Sequence, residues 1–255
     1  MNPDWQARYE VAVEAARKAG DLARAYYETT FDIENKADDS PVTVADRQGE
    51  QLIRALVTKH FADDGFLGEE YGDQPGASGF RWVIDPIDGT KSFIRHVPIW
   101  GTLIGLEYKG EPVAGVAYIP VLGMVYRALR GDGAFVNDRR IHVAKTPTLA
   151  EAVMCYSSVN WFVKYGKAEA FLELVRRTGR QRGFGDFYGF CLVAEGAVDF
   201  MLDHGVHEWD VAALRPIVEE AGGTFTDWGG TPTTKTPDVV ASNGVLHADV
   251  LAVLG

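Results

Sequence analysis

The chain has 255 residues, 46% of them hydrophobic and 24% charged, enough for one large domain or two fused halves with an extensive core. A formal net charge of −11 argues against a general nucleic-acid binder, which needs a basic face, and is compatible with divalent-cation binding without locating a site. No stretch approaches the ~20 apolar residues of a membrane span, and Met1-Asn2-Pro3-Asp4-Trp5 lacks the basic and apolar regions of a signal peptide, so a cytoplasmic protein with no membrane partner is expected.

In chain order, Trp5 to Thr29 predicts a long helix, with Val11, Ala15, Leu22 and Ala23 near one face. Glu34 to Thr43 reads as a polar loop. Asp46 to His60 predicts a second helix, carried by Leu52, Ile53, Leu56 and Val57. Phe66-Leu67-Gly68 is a short strand that runs into Glu69-Glu70, and Arg81 to Ile84 is a strand that ends at Asp85. Thr102–Tyr108, Pro112–Tyr118 and Met124–Leu129 predict an antiparallel meander, joined by turns at Lys109-Gly110-Glu111 and Pro120-Val121-Leu122-Gly123. Arg130-Gly131-Asp132-Gly133 closes it, with one further strand expected at Arg140 to Val143.

Beyond Pro147 the elements alternate. Strands are expected at Val153–Tyr156, Asp199–Leu202, Thr224–Asp227 and Val239–Ser242. Helices are expected at Lys167–Thr178, Gly185–Glu195, Glu208–Ala221 and His247–Leu254. Pro216 should bend the helix that holds it. The fold class is therefore α/β, with an α+β half over residues 1–147 and an α/β half over residues 148–255. Cys155 and Cys191 lie far apart, without metal or redox spacing, and read as buried small hydrophobes. The six histidines show no ligand spacing; His96, His204 and His207 read as loop polar groups or pocket neighbours.

The segment Trp82-Val83-Ile84-Asp85-Pro86-Ile87-Asp88-Gly89-Thr90 carries the chemistry. Two carboxylates at a strand end can share a hard cation, with intervening carbonyls as further oxygen ligands. The helix start behind them offers N–H groups to a phosphate. Taken alone, the same Asp-Pro and Asp-Gly pairs equally suit a turn. Glu69 at another strand end and Asp210 at a helix start would converge on the same place, although each also suits a simple turn or cap.

Gly68-Glu69-Glu70, the Trp82–Thr90 segment, Trp209-Asp210-Val211-Ala212-Ala213 and Glu219-Glu220-Ala221-Gly222-Gly223 together resemble the inositol monophosphatase family, whose members are magnesium-dependent, lithium-sensitive phosphomonoesterases. Lys36, the Pro41–Asp46 segment and Arg130-Gly131-Asp132-Gly133-Ala134 match further family positions. The resemblance implies a five-layer α-β-α-β-α sandwich and a homodimer. It implies that Glu69, Asp85 and the Ile87 carbonyl bind one Mg²⁺, with Thr90 beside it, and that Asp85, Asp88 and Asp210 bind a second. A third, weaker Mg²⁺ would use Glu69 and waters near the Lys36–Asp46 loop. Gly89 and Thr90 N–H groups would hold the phosphate, and Thr90 and Asp46 would orient the attacking water. Paired ions of this kind stabilise both the attacking and the leaving oxygen of an in-line displacement.

The resemblance implies that the Asp186 stretch of the C-terminal half presents groups to the organic part of the substrate. Gly185-Asp186-Phe187-Tyr188-Gly189-Phe190-Cys191-Leu192-Val193-Ala194-Glu195-Gly196, Gly89-Thr90-Lys91-Ser92-Phe93-Ile94-Arg95-His96-Val97-Pro98-Ile99-Trp100 and Glu208, the last expected on the substrate side, resemble the histidinol-phosphate phosphatase branch. The expected substrate is then L-histidinol phosphate. Asp186 would pair with its ammonium, Asp203 would do polar work, and Tyr188 or Trp161 would pack on its imidazole. The ordinary alternatives are a helix cap for Asp186 and core packing for the two aromatics. An inositol-1-monophosphatase, a broad sugar or polyol phosphatase and a non-catalytic phospholigand-binding relative are the competing functions.

Overall fold

The computed structural model describes residues 2–29, 33–35 and 41–255. Lys36, and with it part of the loop expected to serve a third ion, lies outside the described residues. Helix α1 (Pro3–Tyr27) starts where the Asn2 side chain accepts from Asp4 N at 2.9 Å. Val11, Ala15 and Ala23 are buried as expected, in a stripe otherwise made mostly of alanine, Ala12, Ala16 and Ala19, while Leu22 is only half-buried. An antiparallel pair, β1 (Ile33–Asn35) and β2 (Pro41–Thr43), takes up the described ends of the segment expected to be loop. Helix α2 (Val44–His60) follows a capping box in which Thr43 and Asp46 satisfy each other.

The first sheet contains β3 (Gly65–Gly68), β4 (Gly72–Gln74) and β5 (Phe80–Asp88). After the single turn α3 (Thr90–Phe93) come β6 (Gly101–Tyr108), β7 (Glu111–Ile119), β8 (Met124–Leu129), β9 (Gly133–Val136) and β10 (Arg139–Ile141). The spatial order is β10-β9-β8-β7-β6-β5-β3-β4, antiparallel except for β3 with β5. The meander stands as expected but continues through β9 and β10, because Gly131 and Gly133 adopt positive φ and turn the chain back instead of ending the sheet.

The second sheet is built from β11 (Val153–Tyr156), then α4 (Val159–Lys164), α5 (Ala168–Arg177), β12 (Arg180–Arg182), α6 (Asp186–Glu195) and β13 (Phe200–His204). The chain ends with α7 (Glu208–Val211), α8 (Leu214–Glu220), β14 (Thr224–Thr226), β15 (Asp238–Ser242) and α9 (His247–Leu254). Its order is β12-β11-β13-β15-β14, parallel on one side and antiparallel on the other. Short elements such as β4, α4 and β12 had too few residues to show a period. The helix expected over Glu208–Ala221 is two helices, broken at Ala212-Ala213. Pro216 does not bend it: it sits in the first turn of α8, where no intrahelical N–H partner is lost.

Strand alternation sorts the core into layers. Trp82, Ile84, Ile104, Leu106 and Val116 face α1 and α2. Leu103, Ala117, Ile119 and Tyr126 face the opposite way, onto α6 and α8, which Met201, Val239 and Ala241 of the second sheet cover from behind. Met154, Phe200, Leu202 and Val240 point outward to α4, α5 and α9. The result is the five-layer α-β-α-β-α sandwich. Each fully buried Leu, Ile or Phe in these layers contributes about 1.5–3 kcal/mol relative to exposure. Cys155 and Cys191 are free and buried, as expected. No described helix is long and apolar enough to cross a membrane.

Candidate active site

Strand β5 does not stop at Asp85. It continues to Asp88 through a bulge, with Asp85 opposite Leu103 and Asp88 opposite Gly101. In a regular strand, residues three apart face opposite sides. The extra residue reverses that parity and turns both carboxylates to one side. Asp85 is 2% exposed and accepts from Ile87 N at 3.0 Å. The Thr90 hydroxyl donates to the Ile87 carbonyl at 3.0 Å, and Thr102 donates to Pro86 O at 2.8 Å, so the bulge is held on both sides.

Asp210 reaches the same place from α7. Oxygens of Asp85, Asp88 and Asp210 lie within 4.8 Å of one another. Asp210 Oδ2 also accepts from His207 N at 2.7 Å, so its capping role and its place in the cluster coexist. The Glu69 side chain hydrogen-bonds Asp85, while Glu69 N is tied to Ile84 O at 3.1 Å. Burial, then the charges of Glu69, Asp88 and Asp210, push the Asp85 carboxyl well above the usual range. Burial, then Asp186 and Asp210, do the same for Asp88, against the opposing bond from Phe187 N. The neighbouring charges that most shift Asp85 and Asp88 belong to other carboxylates. An all-oxygen donor set with a nearby backbone carbonyl is the kind that a hard divalent cation takes.

Asp46, 1% exposed, stands at the start of α2 and accepts from Thr43 N at 2.8 Å and Thr43 Oγ1 at 2.6 Å. Burial raises its carboxyl to about 7 against those bonds, with Glu69 and Glu70 adding to the rise. Glu50 was not anticipated from the sequence. Fully buried on α2, it accepts from Arg54 and from Glu70 N at 2.8 Å and so braces the turn that carries Glu69. A side chain at Gly68 would collide with it. Its signal was a carboxylate on the buried face of a helix.

Beside the acids lies a cavity of about 180 Å³, walled by Asp88, Asp186, Asp203, Asp210, Lys91 and Trp161 among others. Asp186 takes φ 44°, a conformation that costs energy in a non-glycine residue, and its Oδ2 lies against Gly89. Gly89 takes φ 83°, which strains any other residue, and a Cβ there would sit tightly, 3.2 Å from Ile99 O and 3.3 Å from Asp186 Oδ2. Burial, then Asp210, raise the Asp186 carboxyl, and Lys91 opposes the rise. Asp203 is buried, accepts from His204 N at 2.8 Å, and is raised well above the usual range by burial, with Asp186 and Asp210 adding to it. The Trp161 ring stands near His204, at 6.0 Å and 29°.

Two expected residues are placed elsewhere. Tyr188 turns out of the cavity toward Phe184, because α6 advances about 100° per residue; Phe187 and Phe190 line the wall instead. Glu208 stands outside this cavity, in the wall of an adjoining pocket that shares Trp161, Gly205 and Val206 with it. Arg81 Nη1 takes its carboxylate at 3.0 Å. The phosphate seat expected at Gly89 and Thr90 heads a single helical turn, so its N–H groups rather than a long-helix dipole are what it offers.

Comparison with known proteins places these features in context. The description "Inositol monophosphatase family" matches residues 4–254. Curated relatives include a histidinol-phosphatase of Chlorobaculum parvum, 38% identical over 100% of this chain and 98% of its own length. Another, from Streptomyces coelicolor, is 41% identical over 87% of this chain and 86% of its own. Among solved structures, the suhB protein of Bartonella henselae superposes with TM-score 0.92 at 30% identity, covering 97% and 98% of the two chains. A Thermotoga maritima IMPase does so with TM-score 0.89 at 31% identity, covering 97% and 96%.

Proposed function

The chain belongs to the inositol monophosphatase family, and from that premise we propose that it hydrolyses L-histidinol phosphate to L-histidinol and phosphate, a step of histidine biosynthesis. The observation that carries this reading is the pair Asp186 and Asp203. Both are carboxylates in the cavity wall, outside the Asp85–Asp88–Asp210 cluster, and so available to a cationic substrate. A polyol phosphate could use these acids only as hydrogen-bond acceptors for its hydroxyls, whereas an ammonium also meets their charge.

In this reading Glu69, Asp85 and the Ile87 carbonyl hold one Mg²⁺, and Asp85, Asp88 and Asp210 hold another. When bound, Mg²⁺ supplies charge stabilisation to the phosphoryl group and activates water near neutral pH. Gly89 and Thr90 N–H groups hold the phosphate. Asp46 and Thr90 orient the attacking water. Asp186 takes the ammonium and Trp161 packs on the imidazole, with Asp203 as a polar neighbour. The assembly proposed is a cytoplasmic homodimer.

The test is phosphate release with Mg²⁺, comparing kcat/KM for L-histidinol phosphate and myo-inositol 1-phosphate, with EDTA as control. A strong preference for histidinol phosphate is expected. Preference for inositol phosphate would keep the phosphatase and remove the substrate assignment; full activity in EDTA would remove the metal.

A further inference from the structure

Of the proposed metal ligands, Asp210 alone comes from the C-terminal half, and it rides on a helix of only four residues. A one-turn helix has no rigidity of its own, so something else must fix it. The face of β5 and β6 beneath it shows what does. Arg81, Val83 and Asp85 share one face of β5, paired with Glu107, Gly105 and Leu103 of β6. In the middle of that face, Gly105 admits the chain after α7: a Cβ there would lie 2.9 Å from the Ala212 Cβ and carbonyl carbon. At one end Asp85 meets Asp210. At the other end Arg81 grips Glu208, two residues before Asp210, at 3.0 Å.

Arg81 also holds Glu107, which is 3% exposed, at 3.4 Å. Lys235 stands 3.8 Å from Glu208, and Asp73 3.8 Å from Arg81. The guanidinium therefore sits between two acids, one on the sheet and one on α7. Without it the two acids are left with the more distant Lys235, and like charges in a partly buried place repel. The repulsion would lift α7 from β5 at the end opposite the metal ligands.

We propose that Arg81 is a positioning residue for the metal centre: through Glu208 it sets α7 on β5 so that Asp210 completes the cluster with Asp85 and Asp88. This rests on the metal assignment proposed above. It also gives Glu208 a role in holding Asp210 rather than in touching substrate.

The experiment is calorimetric titration of the full chain with Mg²⁺, alongside the melting temperature in EDTA. Arg81→Met and Glu208→Gln should each weaken Mg²⁺ binding about tenfold, the scale typical of residues that orient metal ligands. Arg81→Lys should recover most of the loss. Arg8→Met is the control for destabilisation alone. Arg8 pairs with Asp64 at 2.8 Å, in a side-chain cluster with Ser78 and Trp82 that holds none of the proposed ligands. That variant should lower the melting temperature and leave Mg²⁺ affinity in place. Glu208→Gln keeps the Arg81–Glu107 pair and so serves if Arg81→Met does not fold. Wild-type Mg²⁺ affinity in both Arg81→Met and Glu208→Gln, or an equal loss in Arg8→Met, would overturn the inference alone. Failure of the wild-type chain to bind Mg²⁺ would overturn the metal assignment and this inference with it.

Discussion

The backbone N–H of Phe187 donates to Asp88 Oδ2 at 2.9 Å, joining the last residue of β5 to the first turn of α6 across 99 positions of sequence. The same peptide follows Asp186, so the carboxylate proposed for the ammonium and one proposed for the metal are set by a single piece of backbone. Asp88→Asn keeps an acceptor for Phe187 N and removes the charge. Phosphatase activity should fall on the order of a thousandfold, the rate equivalent of several kcal/mol of lost charge stabilisation. The melting temperature in EDTA should hold or rise, because a repelling charge is gone. A variant with wild-type kcat would remove Asp88 from the mechanism.

Asp186→Asn tests recognition of the amine. Asn tolerates positive φ at least as well as Asp, so the backbone at φ 44° should survive the change. A hydrogen bond to a charged group contributes about 1.5–3 kcal/mol, which predicts a drop in kcat/KM for histidinol phosphate of about 10- to 100-fold. Activity on myo-inositol 1-phosphate should change little. Equal losses on both substrates would return Asp186 to the role of a helix-start residue.

Without divalent cation the fold should weaken as pH rises. Burial and neighbouring acids hold Asp85 and Asp88 well above the ordinary range, and burial holds Asp46 at about 7. A carboxyl raised above its unfolded value, about 4, contributes stability that is complete below that value and is lost as pH climbs through the folded one. Melting temperature in EDTA should therefore fall from weakly acidic pH to beyond pH 7, and saturating Mg²⁺ should flatten or invert the slope. An EDTA profile that rises over this range would show that the cluster does not govern it.

Gly115→Ala should separate α8 from the first sheet. A Cβ on Gly115 would run into the Ala213 carbonyl oxygen, a backbone atom that cannot swing aside. Overpacking of this kind costs about 1–3 kcal/mol or more. Chemical denaturation should show the loss at an unchanged m-value, and Mg²⁺ affinity should fall with it, since Ala213 lies just beyond α7. Wild-type stability in this variant would mean that the junction has slack.

Local pattern was legible where an element is long enough to show its period. The β6–β8 meander, the α1–α2 pair, β11 and α9 follow from alternation or helical spacing, because the face an element buries is written in its own residues. The acids at the strand ends, and their likeness to a family motif, were legible for the same reason. Tertiary structure alone decided the rest. The bulge in β5 depends on pairing with β6, yet it is what turns Asp85 and Asp88 to one side. The approach of Asp186 and Asp210 to Asp88 depends on how two sheets stack over a shared helical layer. Tyr188 suited either the imidazole or the core, and helix rotation packs it on the core and gives the cavity wall to Phe187 and Phe190. Glu208 stands beside the motif, yet its partner is Arg81, 127 positions away. Periodicity records which side of an element is buried, and only packing determines what that side meets.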